Sequence, residues 1–168
     1  MLAAGAAVLA AALLLWPVQS LTVRPARGQG LHWAAPITAG GEFVLRWTHT
    51  VTRRPVAETY TVESDGRIRL MRMVFDQYGP NLPSAPEAGT VWQHGPEGIT
   101  VTGYTERYER LSLGVGPIDH RLAVGGRELN LVTGVGPDRL IRIAVERQPR
   151  ILLYILEVYQ WRSSSSRS

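Results

Sequence analysis

The 168-residue chain contains no cysteine and no lysine. Without cysteine there is no disulfide framework, no thiolate nucleophile and no cysteine metal site. All 18 basic residues are therefore arginine, and the formal net charge is +4. Those arginines are dispersed, with no run longer than Arg53-Arg54, so they read as a solvated surface and no nucleic-acid partner is expected. Long helical periodicity is also missing. Glycine (17) and proline (11) together make one residue in six, more punctuation than long helices tolerate.

Catalytic signatures are equally scarce. The four histidines, His32, His49, His94 and His120, form no spaced metal pair, so no metal and no cofactor are expected. No Gly-x-Ser-x-Gly elbow occurs, and Ser84 lies in a proline-rich loop. Gly114-Val115-Gly116 and Gly134-Val135-Gly136 fail as dinucleotide fingerprints, because Asp119 and Arg139 stand where the third glycine belongs. Both stretches continue into Pro117 or Pro137 and then a strand-like run, which reads as two turns leading into strands. The residues name no reaction.

What is present begins with an apolar N-terminus. Residues 2–23 carry no charged side chain, and the core of this run is Leu2 to Val18. As a helix those residues rise roughly 26 Å, short of a hydrocarbon core of about 30 Å. Extension to Leu21 closes the gap, and Trp16 suits an interface. Residues 1–21 thus read as a membrane anchor or a signal segment, with a buried core helix as the third reading. Val18-Gln19-Ser20 offers small residues for cleavage before Leu21, but no basic n-region precedes the run. Arg24 and Arg27 oppose export by the positive-inside rule.

Residues 22–41 read as a linker leading into an all-β domain over 42–161, and 162–168 as a disordered tail. Candidate strands cover 42–51, 56–63, 67–75, 90–94, 98–105, 109–113, 120–124, 128–132, 139–146 and 151–159. Frequent Gly/Pro breaks between them predict an antiparallel β-sandwich or barrel preceded by one hydrophobic helix. The stretch Ile151 to Trp161 stays open between strand and helix.

Residues 42–51 and 56–63 form a predicted hairpin around Thr52-Arg53-Arg54-Pro55. That register opposes Val51 to Val56, His49 to Glu58, Trp47 to Tyr60 and Leu45 to Val62, all on one apolar face with Phe43. An imidazole then lies across from a carboxylate inside the core, either as a structural pair or as a contact for a ligand or partner. The dense segment Phe75-Asp76-Gln77-Tyr78-Gly79-Pro80-Asn81-Leu82-Pro83 reads as a rigid shaped loop, functional or simply a sharp turn.

These residues carry a resemblance. His49-Thr50-Val51, Pro55-Val56-Ala57-Glu58 and Phe75 through Tyr78-Gly79-Pro80-Asn81-Leu82-Pro83 resemble the bacterial domain of unknown function 1850. Asp119-His120-Arg121-Leu122 is similar to a later segment of that family, and the likeness covers residues 42–147. Thr50 replaces a serine of the family pattern, and Pro80-Asn81 stands where small residues or glycine are usual. The resemblance implies a small exported or membrane-tethered protein encoded beside tripartite ATP-independent periplasmic (TRAP) transporters of the TAXI type. It implies no catalytic role.

The expected function is a membrane-anchored, extracytoplasmic accessory or binding domain, at the inner membrane and facing the periplasm or cell exterior. Its expected partners are the membrane, through residues 2–21, and a TRAP transporter subunit or its solute-binding protein. Candidate binding residues are His49, Glu58, Tyr78, Asn81, Pro83 and His120. The alternatives are a small enzyme using a His/Glu acid-base pair and a purely structural envelope protein.

Overall fold

The computed structural model describes residues 2–28 and 30–165. Helix α1 (Leu2–Leu15) leads into strands β1 (Pro17–Pro25), β2 (Trp33–Pro36), β3 (Glu42–Thr48), β4 (Pro55–Val62) and β5 (Ile68–Phe75). Then follow β6 (Val91–Gly95), β7 (Gly98–Thr102), β8 (Arg107–Tyr108), β9 (Arg110–Gly114), β10 (His120–Val124) and β11 (Arg127–Asn130). A one-turn helix α2 (Leu131–Gly134), the long strand β12 (Leu140–Pro149) and helix α3 (Arg150–Ser165) complete the chain. Two antiparallel sheets result. One has the order β2-β1-β12-β9; the other has the order β11-β10-β3-β4-β5-β7-β6, with β8 on the side of β5. Of the two architectures expected, the sandwich arrangement holds, and the sheets do not close into a barrel.

Alternation explains which faces meet. On β3 and β4, Phe43, Leu45, Val56, Tyr60 and Val62 turn inward and are buried. Strand β5 keeps this phase through a bulge: pairing with β4 shifts between Thr59 and Tyr60, Met71 drops out of register, and Ile68, Leu70, Met73 and Phe75 all remain buried. Opposite them, the smaller sheet contributes Leu21, Val23, Ile141 and Ile143, all fully buried, with Leu111 and Leu113 packed at the margin.

The boundaries expected at the N-terminus differ from those of the structure. The helix stops at Leu15, and Pro17 opens strand β1, which pairs with β12 from Pro17↔Pro149 to Pro25↔Ile141. The boundary expected at residue 21 falls inside this strand, and β1 and β2 occupy most of the stretch read as a linker. Ser20 and Leu21, which flank the expected cleavage point, are both fully buried. The physical reason is compositional ambiguity. An uncharged Val/Ser/Leu/Thr run suits a central strand covered on both faces as well as it suits a bilayer. No helix among the described residues is long and apolar enough to cross a membrane.

At the other end, Ile151 to Trp161 is helical, and α3 continues through residues 162–165 where a disordered tail was expected. Residues 166–168 of that expected tail lie outside the described residues. The strand expected over 128–132 ends at Asn130, whose Oδ1 accepts hydrogen bonds from the Val132 and Thr133 amides and caps α2. The two Gly-Val-Gly-Pro turns lie side by side: Val115 donates to Arg139 O and accepts from the Asp138 amide, both at 2.8 Å. Each leads toward a strand, β10 or β12.

Candidate functional site

The hairpin register differs from the one read in the sequence. Strand β3 meets β4 as Phe43↔Tyr60, Leu45↔Glu58 and Trp47↔Val56, so Leu45 and not His49 opposes Glu58. The inward face is kept, because a period-2 pattern rejects odd slips and is blind to even ones. Loop chemistry selects the register. His49 leaves the strand and organises a longer connection: its Nδ1 accepts from the Val51 and Thr52 amides at 3.2 and 3.3 Å. Its own carbonyl accepts from the Arg53 amide at 2.8 Å, and Arg53 takes φ 58. Val51, expected to face Val56 in the core, is 68% exposed in this loop.

With Nδ1 accepting, His49 carries its proton on Nε2 and donates to the Pro80 carbonyl at 2.8 Å. The acceptor sits on a tight turn. Leu82 N donates to Gly79 O at 3.1 Å, Pro80 takes the first central position and Asn81 the second, with φ 64. This is the type II arrangement, and asparagine supplies the left-handed residue that glycine would otherwise provide. Gly79 packs so closely on His49 that an added Cβ would meet Nε2 at 3.0 Å. Arg54 and Asp76 add a second tie between the same two loops. The hydrogen bond and charge of Arg54 hold the Asp76 carboxyl below the usual carboxylate range.

Glu58 remains on the inner face, half-buried between apolar neighbours. It accepts a hydrogen bond from the Tyr60 hydroxyl at 2.8 Å. Burial pushes its carboxyl above the usual carboxylate range, against the lowering effect of hydrogen bonds from Tyr60 and the Trp47 indole. Burial first, and the Glu58 charge second, raise the hydroxyl of Tyr60 and push that of Tyr104 up to about 12. The Tyr104 hydroxyl is buried and has no hydrogen-bond partner among the described residues.

His120 opens β10 directly opposite Trp47 and is 8% exposed. Its Nδ1 accepts from the Gly116 amide at 3.2 Å, which leaves the proton on Nε2. Burial pushes this imidazole below its ordinary range, against the opposing charge of Asp119. Glu58 and His120 line one cavity of about 260 Å³ between the sheets, with Leu45, Trp47 and Leu113 as apolar wall and Thr50 and Gly116 on the loops.

Of the six candidate residues, Glu58 and His120 thus share this cleft. His49 stands behind it, its ring 5.7 Å from that of Trp47, which in turn lies 6.3 Å from His120. Tyr78, Asn81 and Pro83 lie on the β5–β6 loop and do not line the cleft. Tyr78 instead packs against Phe75 and Trp92, and Asn81 is an exposed turn residue. Trp47, Tyr60, Leu113 and Gly116 were not singled out as site residues. Trp47 and Tyr60 were legible only as inward-facing, and Gly116 only as part of a turn.

A family model described as "Domain of unknown function (DUF1850)" matches residues 43–131. The chain belongs to this family. No curated protein matches it, and no solved structure does.

Proposed function

We propose that the domain is a binding module that holds a small ligand in the cleft between its sheets, head group against Glu58 and His120 and apolar body against Leu45, Trp47 and Leu113. One observation carries this reading: a half-buried carboxyl and a buried imidazole converge on one cavity that also has an aromatic wall. The volume, about 260 Å³, suits a small organic molecule. Among the described residues no arginine lines the cleft, so an anionic head would meet Glu58 without an arginine counter-charge. An amine or amide head is favoured: an ammonium neutralises the carboxylate, and an amide exchanges hydrogen bonds with both side chains.

Every lining residue of this cleft lies within the family match. A larger cavity of about 530 Å³, lined by Pro25, His32, Asp138 and their neighbours, lies outside it. The action is capture, with no bond chemistry. The resemblance to exported proteins encoded beside TAXI-type TRAP transporters supports an accessory role at such a transporter or its solute-binding protein, on the outer side of the inner membrane. An acid-base enzyme built on His49 and Glu58 has no geometric support, since the register separates the two residues along the hairpin.

Thermal shifts of the full chain with C4 to C8 amines, amides and carboxylates test this reading. A ligand at about a hundred times its Kd adds about 2.7 kcal/mol to stability. Amines or amides are expected to raise Tm, with Glu58→Gln and His120→Asn folding normally but losing the response. Shifts that survive both substitutions contradict the cleft.

A further inference from the structure

The register pair Pro17↔Pro149 puts the end of α1 and the start of α3 at the same end of the β1–β12 ladder. The Arg150 amide donates to the Trp16 carbonyl at 3.2 Å, and the two helices touch; α3 also packs on β2, buries Leu153 and pairs Glu157 with Arg127, so it lies against this end of the sandwich. Exposed apolar side chains gather on these two helices. Leu13, Leu15 and Trp16, and on α3 Tyr154, Ile155 and Val158, are each more than half exposed. Exposed apolar side chains on two touching helices mark a site that something else covers.

Two observations identify the cover. Helix α1 has the sequence LAAGAAVLAAALLL, without a polar side chain on any face. A groove on a protein partner covers one face of a helix and leaves the others in water, whereas acyl chains surround it. At the base of the helices stand Arg147 and Arg150, both exposed and both without an ion pair among the described residues. Trp16 lies beside them. Cationic and amphipathic aromatic groups at the root of an apolar projection match the headgroup layer of an anionic membrane.

We propose that α1 and α3 form a two-helix platform that inserts into one leaflet of an anionic lipid bilayer, with Trp16, Arg147 and Arg150 at headgroup level. The 14 residues of α1 rise about 21 Å. That exceeds half of a hydrocarbon core of about 30 Å, the depth of one leaflet. The sandwich then hangs from the surface by the end where β1 begins and β12 finishes. The cleft of Glu58 and His120 uses β3, β4, β9 and the start of β10 together with the β9–β10 connection, so binding there and attachment here engage different strands.

The test is co-flotation of the full chain with vesicles of phosphatidylcholine, alone or with an equal part of phosphatidylglycerol. The chain is expected to float with both, at least about tenfold tighter with the anionic mixture, each arginine contributing about fivefold. Arg147→Gln with Arg150→Gln is expected to remove that preference and keep the basal flotation. Ile155→Glu with Val158→Glu is expected to lower flotation at least about tenfold on both vesicles, while circular dichroism stays that of the parent. Flotation indifferent to the α3 substitutions overturns the two-helix platform. A chain that ignores vesicles and forms a defined oligomer, its helices covered by copies of itself, overturns the lipid.

Discussion

The imidazole of His49 donates to the carbonyl oxygen of Pro80 at 2.8 Å, joining two loops 31 residues apart in the chain. The other ring nitrogen accepts from two amides of its own loop. One side chain thereby fixes the β3–β4 connection and clamps the β5–β6 turn against it. Replacing His49 with alanine strands the Pro80 carbonyl and both amides. The expected cost is about 1–3 kcal/mol, read as a lower denaturation midpoint with an unchanged m-value.

The turn beneath that bond has its own requirement. Asn81 sits at φ 64, in the left-handed region. Asn81→Gly is expected to leave stability nearly unchanged. Asn81→Val is expected to cost about 1–2 kcal/mol, since a β-branched residue resists that conformation. Urea denaturation of the two variants side by side distinguishes this backbone effect from loss of a side-chain contact, which would make them equal.

Glycine at 79 is needed for space. A Cβ there meets His49 Nε2 and Thr52 Cγ2, both at 3.0 Å. Gly79→Ala is expected to push His49 off Pro80, so that combining it with His49→Ala costs less than the sum of the two. The double-mutant cycle measures that coupling, and strict additivity would sink the clamp.

Glu58 and His120 impose opposite pH dependences. The folded pKa of Glu58 is raised above its ordinary value near 4.5. Its contribution is fully present below that value and is lost as pH rises through the folded pKa, because the native state then holds a proton that the unfolded state has released. The folded pKa of His120 is lowered from 6.5, so its contribution is present above 6.5 and is lost as pH falls through the folded value. In stability-versus-pH curves, Glu58→Gln is expected to remove the decline above pH 4.5, and His120→Asn the decline below pH 6.5.

Much of the fold was legible in the sequence. Phe43, Leu45, Tyr60 and Val62 share one face of the expected hairpin, and that face is the one buried. The register was not legible, because registers that differ by an even number bury the same side chains. The observed register goes with the bonds made by His49, one of which reaches Pro80 far along the chain. Strand β1 was hidden for another reason: Leu21 and Val23 in an uncharged run look alike to a bilayer and to a two-faced core. Of the site, Glu58 was legible as a carboxylate on an apolar face. Its partnership with His120 and Gly116 was not, since β10 reaches β3 by a long-range pairing with no local signal.

The most direct test of the account is to plug the cleft. Gly116 lines it without positive φ, and a Cβ there meets only Thr50 Cγ2 at 3.8 Å and His120 Nδ1 at 3.9 Å, ordinary contacts. Gly116→Leu should therefore fill the cavity and leave the sandwich intact. Calorimetric titration of the full chain and of this variant with the amine or amide that most raises Tm is the decisive measurement. The account expects saturable one-site binding in the parent and none in a folded Gly116→Leu. Equal affinity in both would place the ligand elsewhere and contradict the cleft as the binding site.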